Sequence, residues 1–98
     1  MKETLISKDF FKDGCNRSDS YMELFKTNVN GKESTVKIYI NSDTQYPNYI
    51  AVFDLNSLEW KNVFSIPRAL LNLPMFPTQQ EFLKVADELK KKFYNIIG

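Results

Sequence analysis

Histidine is absent from all 98 residues. That removes the commonest general base, the Ser–His and Cys–His nucleophile pairs, and the commonest metal ligand. Cys15 is the only cysteine, so no intrachain disulfide can form. Without histidine, one cysteine cannot assemble a structural zinc site. Glycine is scarce too: Gly14, Gly31 and Gly98 are too dispersed for a phosphate-cradling loop. Charge of either sign is not in excess, with 13 Lys+Arg against 12 Asp+Glu, so no net field draws in nucleic acid or an anionic membrane. No stretch approaches the ~20 apolar residues of a membrane span. The opening MKETLISKDFFKDG is charged where a signal peptide would be apolar. These absences lead us to expect a cytoplasmic chain that is not an enzyme, holds no metal or cofactor, and does not enter a membrane.

What is present belongs to a globular protein. The chain is 43% hydrophobic and 26% charged, and 14% aromatic, which argues against disorder. Its length fits one domain, residues 1–98, and neither repeats nor a linker divide it. The Lys-, Asn- and Ile-rich composition suggests an AT-rich gene of bacterial, phage or mobile-element type.

The plainest element is a helix over about 79–96. Thr78 and Glu81 form a capping box, and Phe82, Val85, Ala86, Leu89, Phe93, Ile96 and Ile97 recur at helical spacing. Phe82, Leu89 and Phe93 are expected against Val36, Ile38 and Ile50 or Val52. Residues 21–40 read as a hairpin about Asn30-Gly31. A two-residue turn would pair Glu23 with Ile38 and set a carboxylate on an apolar face. A three-residue loop pairs Met22 with Ile38 and Leu24 with Val36, and is preferred for that reason. YIAVFDL (49–55) and WKNVFSI (60–66) supply further strands, and Ser7 can cap a short helix closed by Gly14. The expected fold is α+β: an antiparallel β-meander of three to four strands, a long C-terminal helix on one face and a short N-terminal helix.

YIAVFDLNSLEWKNVFSIPRA, over Tyr49 to about Pro67, resembles a single hairpin of a kelch-type propeller blade, in which a strand ends in Asp and restarts at Trp. It lacks that family's glycine doublet and does not repeat. The resemblance implies only a local hairpin, with Asp54 capping the turn and the Trp60 ring covering it. Asp54 and Glu59 are the one pair of carboxylates able to approach each other, and turn capping and solvation explain them. Cys15 has no base or resolving cysteine beside it and is expected to be an inert thiol.

Function is therefore sought in binding. Trp60 to Gln79 holds three prolines and nine large apolar residues but only two charges. A short helix after Pro67 and a kinked link are expected. Leu70, Leu73, Met75 and Phe76 either form an exposed patch for a protein partner or for self-association, or plug the open end of the sheet. The expected function is that of a small accessory or inhibitor protein acting by stoichiometric association. The alternative is a single-stranded nucleic-acid binder stacking bases on Tyr21, Phe25, Lys37, Tyr39 and Phe53 across an open sheet face, unless Phe10 and Phe11 fold over that face. Lys84 and Lys90 to Lys92 could meet phosphates, against a reading as a solvated helix face.

Overall fold

A computed structural model describes residues 3–12, 19–42, 47–67, 71–74 and 77–97. Five strands, β1 (Glu3–Lys12), β2 (Asp19–Val29), β3 (Lys32–Asn41), β4 (Asn48–Asp54) and β5 (Glu59–Ile66), pair antiparallel in chain order. The helix α1 (Gln79–Ile97) packs on one face, nearest β2 and β3. The fold is α+β as expected, with two corrections. The described residues form five strands rather than three to four, and the part of the proposed N-terminal helix that they include lies in strand β1. A short helix is a weak competitor in water, whereas the free edge of β2 offers partners to alternate backbone groups along Thr4–Phe11, and Phe10 gains a place against Tyr21 at 4.9 Å between ring centroids.

The hairpin register is also corrected. Asn30 (φ 53°) and Gly31 (φ 82°) are both left-handed, the signature of a two-residue type I′ turn whose twist matches the flanking strands. Val29 lies opposite Lys32, Phe25 opposite Val36 and Glu23 opposite Ile38. Tyr21, Glu23 and Phe25 therefore share a face with Val36, Ile38 and Ile40, and that face lies under α1, where all six are fully buried. The carboxylate that argued against this register has acquired a partner from the helix, described below.

The core holds Ile50, Ile66, Phe82, Val85, Ala86, Leu89 and Phe93 as well. Phe82, Val85, Ala86, Leu89 and Phe93 of the α1 stripe land where their spacing placed them. Its start is the anticipated capping box: the Thr78 amide donates to Glu81 Oε1 at 2.9 Å and the Glu81 amide donates to Thr78 Oγ1 at 3.2 Å. Among the described residues of the connection from β5, none is helical. Leu71 is buried there, and Leu73 packs against the core.

Both edge strands carry an extra residue, Ile6 in β1 and Val63 in β5, where the register slips by one. Such bulges bend an edge and discourage open-ended strand addition. β3 and β4 face each other only from Val36–Val52 to Tyr39–Tyr49. Beyond that point Lys32–Thr35 continues with β2 and Phe53–Asp54 with β5, so the sheet forks between its two hairpin tips.

Leu89 is central to the stripe and 3% exposed. Leu89→Ala should lower unfolding free energy by about 2–5 kcal/mol, measured by urea titration. A loss under about 0.5 kcal/mol, the usual scale of surface changes, would mean that the stripe faces something other than this core.

Candidate functional site

Among the described residues, the titratable side chains that are buried together lie beneath α1. Glu23 is fully buried. Tyr21 Oη donates to Glu23 Oε1 at 2.5 Å, and Lys90 forms an ion pair with Glu23 Oε2. Lys90 Nζ also donates to Glu3 Oε1 at 3.2 Å, while Tyr94 Oη donates to Glu3 Oε2 at 2.7 Å. The Lys90 ammonium lies 4.9 Å from the Phe25 ring centroid, a favourable cation–π placement. One cation thus bridges two carboxylates, each capped by a tyrosine hydroxyl. Lys90, anticipated as one of a solvated run with Lys91 and Lys92, has a side chain only 11% exposed.

Burial works against the charge of Lys90, but its bonds to Glu23 and then Glu3 outweigh this and raise its pKa above the ordinary lysine value. Burial, then the bond to Glu23, raises Tyr21. Burial and the bond to Glu3 raise Tyr94 against an opposing bond from Thr27. Burial opposes ionisation of Glu3, yet Tyr94 and Lys90 hold its carboxyl below the usual range. Glu23 and Tyr21 are sealed from solvent beneath α1. The cluster's geometry is that of a clamp between helix and sheet.

The opposite face of the sheet offers more to a partner. Cross-strand registers place Met22, Tyr39 and Tyr49 in one row, Leu24, Lys37 and Ala51 in the next, and Phe53 beside Trp60. Tyr39 stacks on Tyr49 at 5.5 Å and Phe53 meets Trp60 edge-on at 5.3 Å. Lys37 Nζ lies 5.2 Å from the Tyr49 centroid and 4.7 Å from that of Trp60. Among the described residues no element packs over this strip: α1 is on the other side, and so is Phe10, which sits 6.4 Å from Phe82 between ring centroids. Phe11 is 48% exposed on the edge strand.

Of the residues anticipated for base stacking, Lys37, Tyr39 and Phe53 lie on this open face. Tyr21 and Phe25 do not; they are buried under α1, because the true register differs by one residue and one residue inverts a strand. Met22 and Leu24 were missed for the same reason; Tyr49 and Trp60 were missed although strand alternation places Tyr49 on the face of Phe53, and Trp60 stands across from Phe53. The available signal was the Asn-Gly dipeptide itself, whose preferred turn places Met22 and Leu24 with Lys37 and Tyr39. Of the patch residues, Leu70, Met75 and Phe76 lie outside the described residues, as does Cys15, and Leu73 is half-buried against the core.

The β4–β5 turn has the anticipated aspartate cap. Asp54 accepts from the Asn56 amide and the Ser57 hydroxyl, both at 3.0 Å, and pairs with Lys61 at 2.8 Å. The Lys61 bond, with those of Asn56 and Ser57, lowers its pKa to about 2. Glu59 lies across from Asp54 in register but makes no acid pair with it. Leu58 (φ 58°) takes the left-handed position and is 72% exposed. Trp60 packs on Phe53 rather than over the turn. No helix among the described residues is long and apolar enough to cross a membrane, and no three potential metal ligands converge among them.

Removing the cation from the clamp leaves a buried charge unpaired, so Lys90→Met should cost about 3–5 kcal/mol. The triple variant Tyr21→Phe, Glu23→Leu, Lys90→Met should regain most of that loss, because every buried partner is then apolar; chemical denaturation reads both. The clamp also sets the pH limits. Tyr21, Tyr94 and Lys90 have raised folded pKa values, so their contribution is complete below about pH 10 and is lost as pH rises beyond it. Glu3 is lowered, so its contribution is complete above about pH 4.5 and is lost as pH falls further. Melting temperature against pH should be flat between these limits and fall on both sides, with a shallower alkaline fall in Tyr21→Phe.

No protein-family model, no curated protein and no solved structure matches this chain.

Proposed function

We propose that this chain is a small non-enzymatic binding protein that associates stoichiometrically with another protein through the uncovered face of its sheet. The observation that carries this reading is the strip Met22–Tyr39–Tyr49 with Leu24, Lys37, Phe53 and Trp60, exposed to various degrees on the side that α1 leaves bare. Aromatic residues and methionine are enriched at protein interfaces, and a rigid five-stranded sheet presents them without ordering cost. The near-neutral charge favours a protein over a polyanion. We favour this face over the 65–77 link: of the patch residues there, Leu73 packs against the core, and Leu70, Met75 and Phe76 lie outside the described residues.

Tyr49→Ser with Trp60→Ser should leave the chain folded, at a cost of about 1 kcal/mol per lost cross-strand aromatic pair or less, and should abolish retention of a protein that wild-type chain captures from lysate. Equal capture by the variant would reject this face as the interface. A second reading draws on Lys37 poised over Tyr49 and Trp60, an arrangement compatible with stacking single-stranded bases. In that case labelled oligonucleotide should bind at low salt, lose affinity steeply as salt rises, and lose about 1–3 kcal/mol in Tyr39→Ala. Phe25→Ala is uninformative there, since removing a buried phenylalanine costs about 3–5 kcal/mol of stability by itself.

A further inference from the structure

The fork between the hairpin tips encloses a cleft of about 460 Å³, within the range of ligand-sized sites. The β2–β3 hairpin forms one wall and the β4–β5 hairpin the other. Its backbone is as informative as its side chains. In a two-residue hairpin the residues flanking the turn exchange hydrogen bonds, so Lys32, Ser34 and Val36 direct their amides and carbonyls to β2. Glu33 must direct its own toward the cleft, and no β4 residue stands in register with it. Phe53, by the same alternation, turns its backbone toward β3 at the point where registered pairing ends.

Side chains from both faces of the sheet reach the cleft. On the α1 side are Val29, Val52 and Lys32; on the open side are Phe53 and Lys26, with Glu33 on the same side. Each side therefore offers an apolar surface and a lysine. Among the charges that line it, Asp54 and Lys61 neutralise one another, which leaves Lys26 and Lys32 against Glu33. A strand projects alternate side chains to opposite faces. Only an extended chain can meet both sides at once while pairing with the free edge.

The geometry points to the fork as a docking site for an extended acidic peptide segment of the partner, inserted beside β3 by strand addition, with an apolar and an acidic side chain on each face. The inference rests on the partner being a protein. It goes beyond the flat-face interface by assigning a second contact with a defined sequence preference, and the mode is backbone pairing with side-chain selection.

The pattern Val-Val-Glu-Glu places one valine and one glutamate on each face. Acetyl-Thr-Val-Val-Glu-Glu-Thr-amide should bind with a Kd on the order of 1 mM, followed by amide chemical shifts of the ¹⁵N-labelled chain. The largest shifts should fall on Glu33, Thr35, Phe53 and Leu55. The Lys-Lys analogue should bind about tenfold more weakly or worse, and Lys26→Gln with Lys32→Gln should weaken the acidic peptide in a chain whose melting is unchanged, as is usual for exposed positions. Methylating both valine nitrogens should abolish binding, because one of two successive amides in an added strand must pair with β3. Four results would overturn the inference: no shifts at the fork at millimolar peptide, equal binding of the lysine analogue, indifference to N-methylation, or octanoate matching the peptide at the same amides. Shifts confined to Tyr39, Tyr49 and Trp60 would also overturn it, while leaving the flat-face reading in place. Conversely, loss of protein capture in Lys26→Gln, Lys32→Gln but not in Tyr49→Ser, Trp60→Ser would keep this site and remove the flat-face reading.

Discussion

Lys90 is the side chain on which helix and sheet agree. It stands two turns from the end of an otherwise simple amphipathic helix and meets Glu23 in the middle of a buried sheet face. An unpaired carboxylate at that position would make the observed hairpin register costly. A one-residue slip would expose Tyr21 and Phe25 and bury Met22 and Leu24 instead. The ion pair, with Tyr21 and the Phe25 ring around it, makes one register acceptable and thereby decides which residues face α1 and which face outward. Buried pairs of this kind are weak sources of net stability and are retained in some proteins because they specify one arrangement among several. Here the alternative arrangement can be named: the three-residue loop that keeps Glu23 off the core.

The sheet's two faces follow from that choice. One is closed by α1, Phe10, Leu71 and Leu73. The other retains an aromatic strip, with Lys37 lying across the Tyr49 and Trp60 rings. A lysine so placed covers apolar surface with its stem and keeps its charge near solvent, which makes the face compatible with water until something displaces it. Both outer edges are bulged at Ile6 and Val63, so the meander is poorly suited to open-ended strand addition there. The internal fork has no such protection, since β3 and β4 simply diverge. The proposed binding thus draws on one face and one cleft, while the edges are blunted.

Much of the fold was legible in the residues. The helix, its capping box and its core stripe follow from local periodicity, and the Asp54 turn follows from side-chain reach across a few residues. β1 was not legible, because Thr4–Phe11 can be written as a short helix or an edge strand, and only the free side of β2 separates them. The candidate surface was half legible. Lys37, Tyr39 and Phe53 were placed on the open face, whereas Tyr21 and Phe25 were placed there too and belong to the core.

The sequence by itself determined an α+β domain without the residues for histidine, disulfide or zinc chemistry, since these follow from composition, periodicity and caps that act within a few residues. Only the tertiary structure decided the register of β2 against β3, and with it the identity of the exposed face. That decision depends on Lys90 and Glu23, 67 positions apart, and no local pattern reports whether a carboxylate on an apolar strand face will find its cation. The fork is tertiary for the same reason: where two strands stop pairing depends on the twist and packing of both hairpins, and neither hairpin's residues encode it alone.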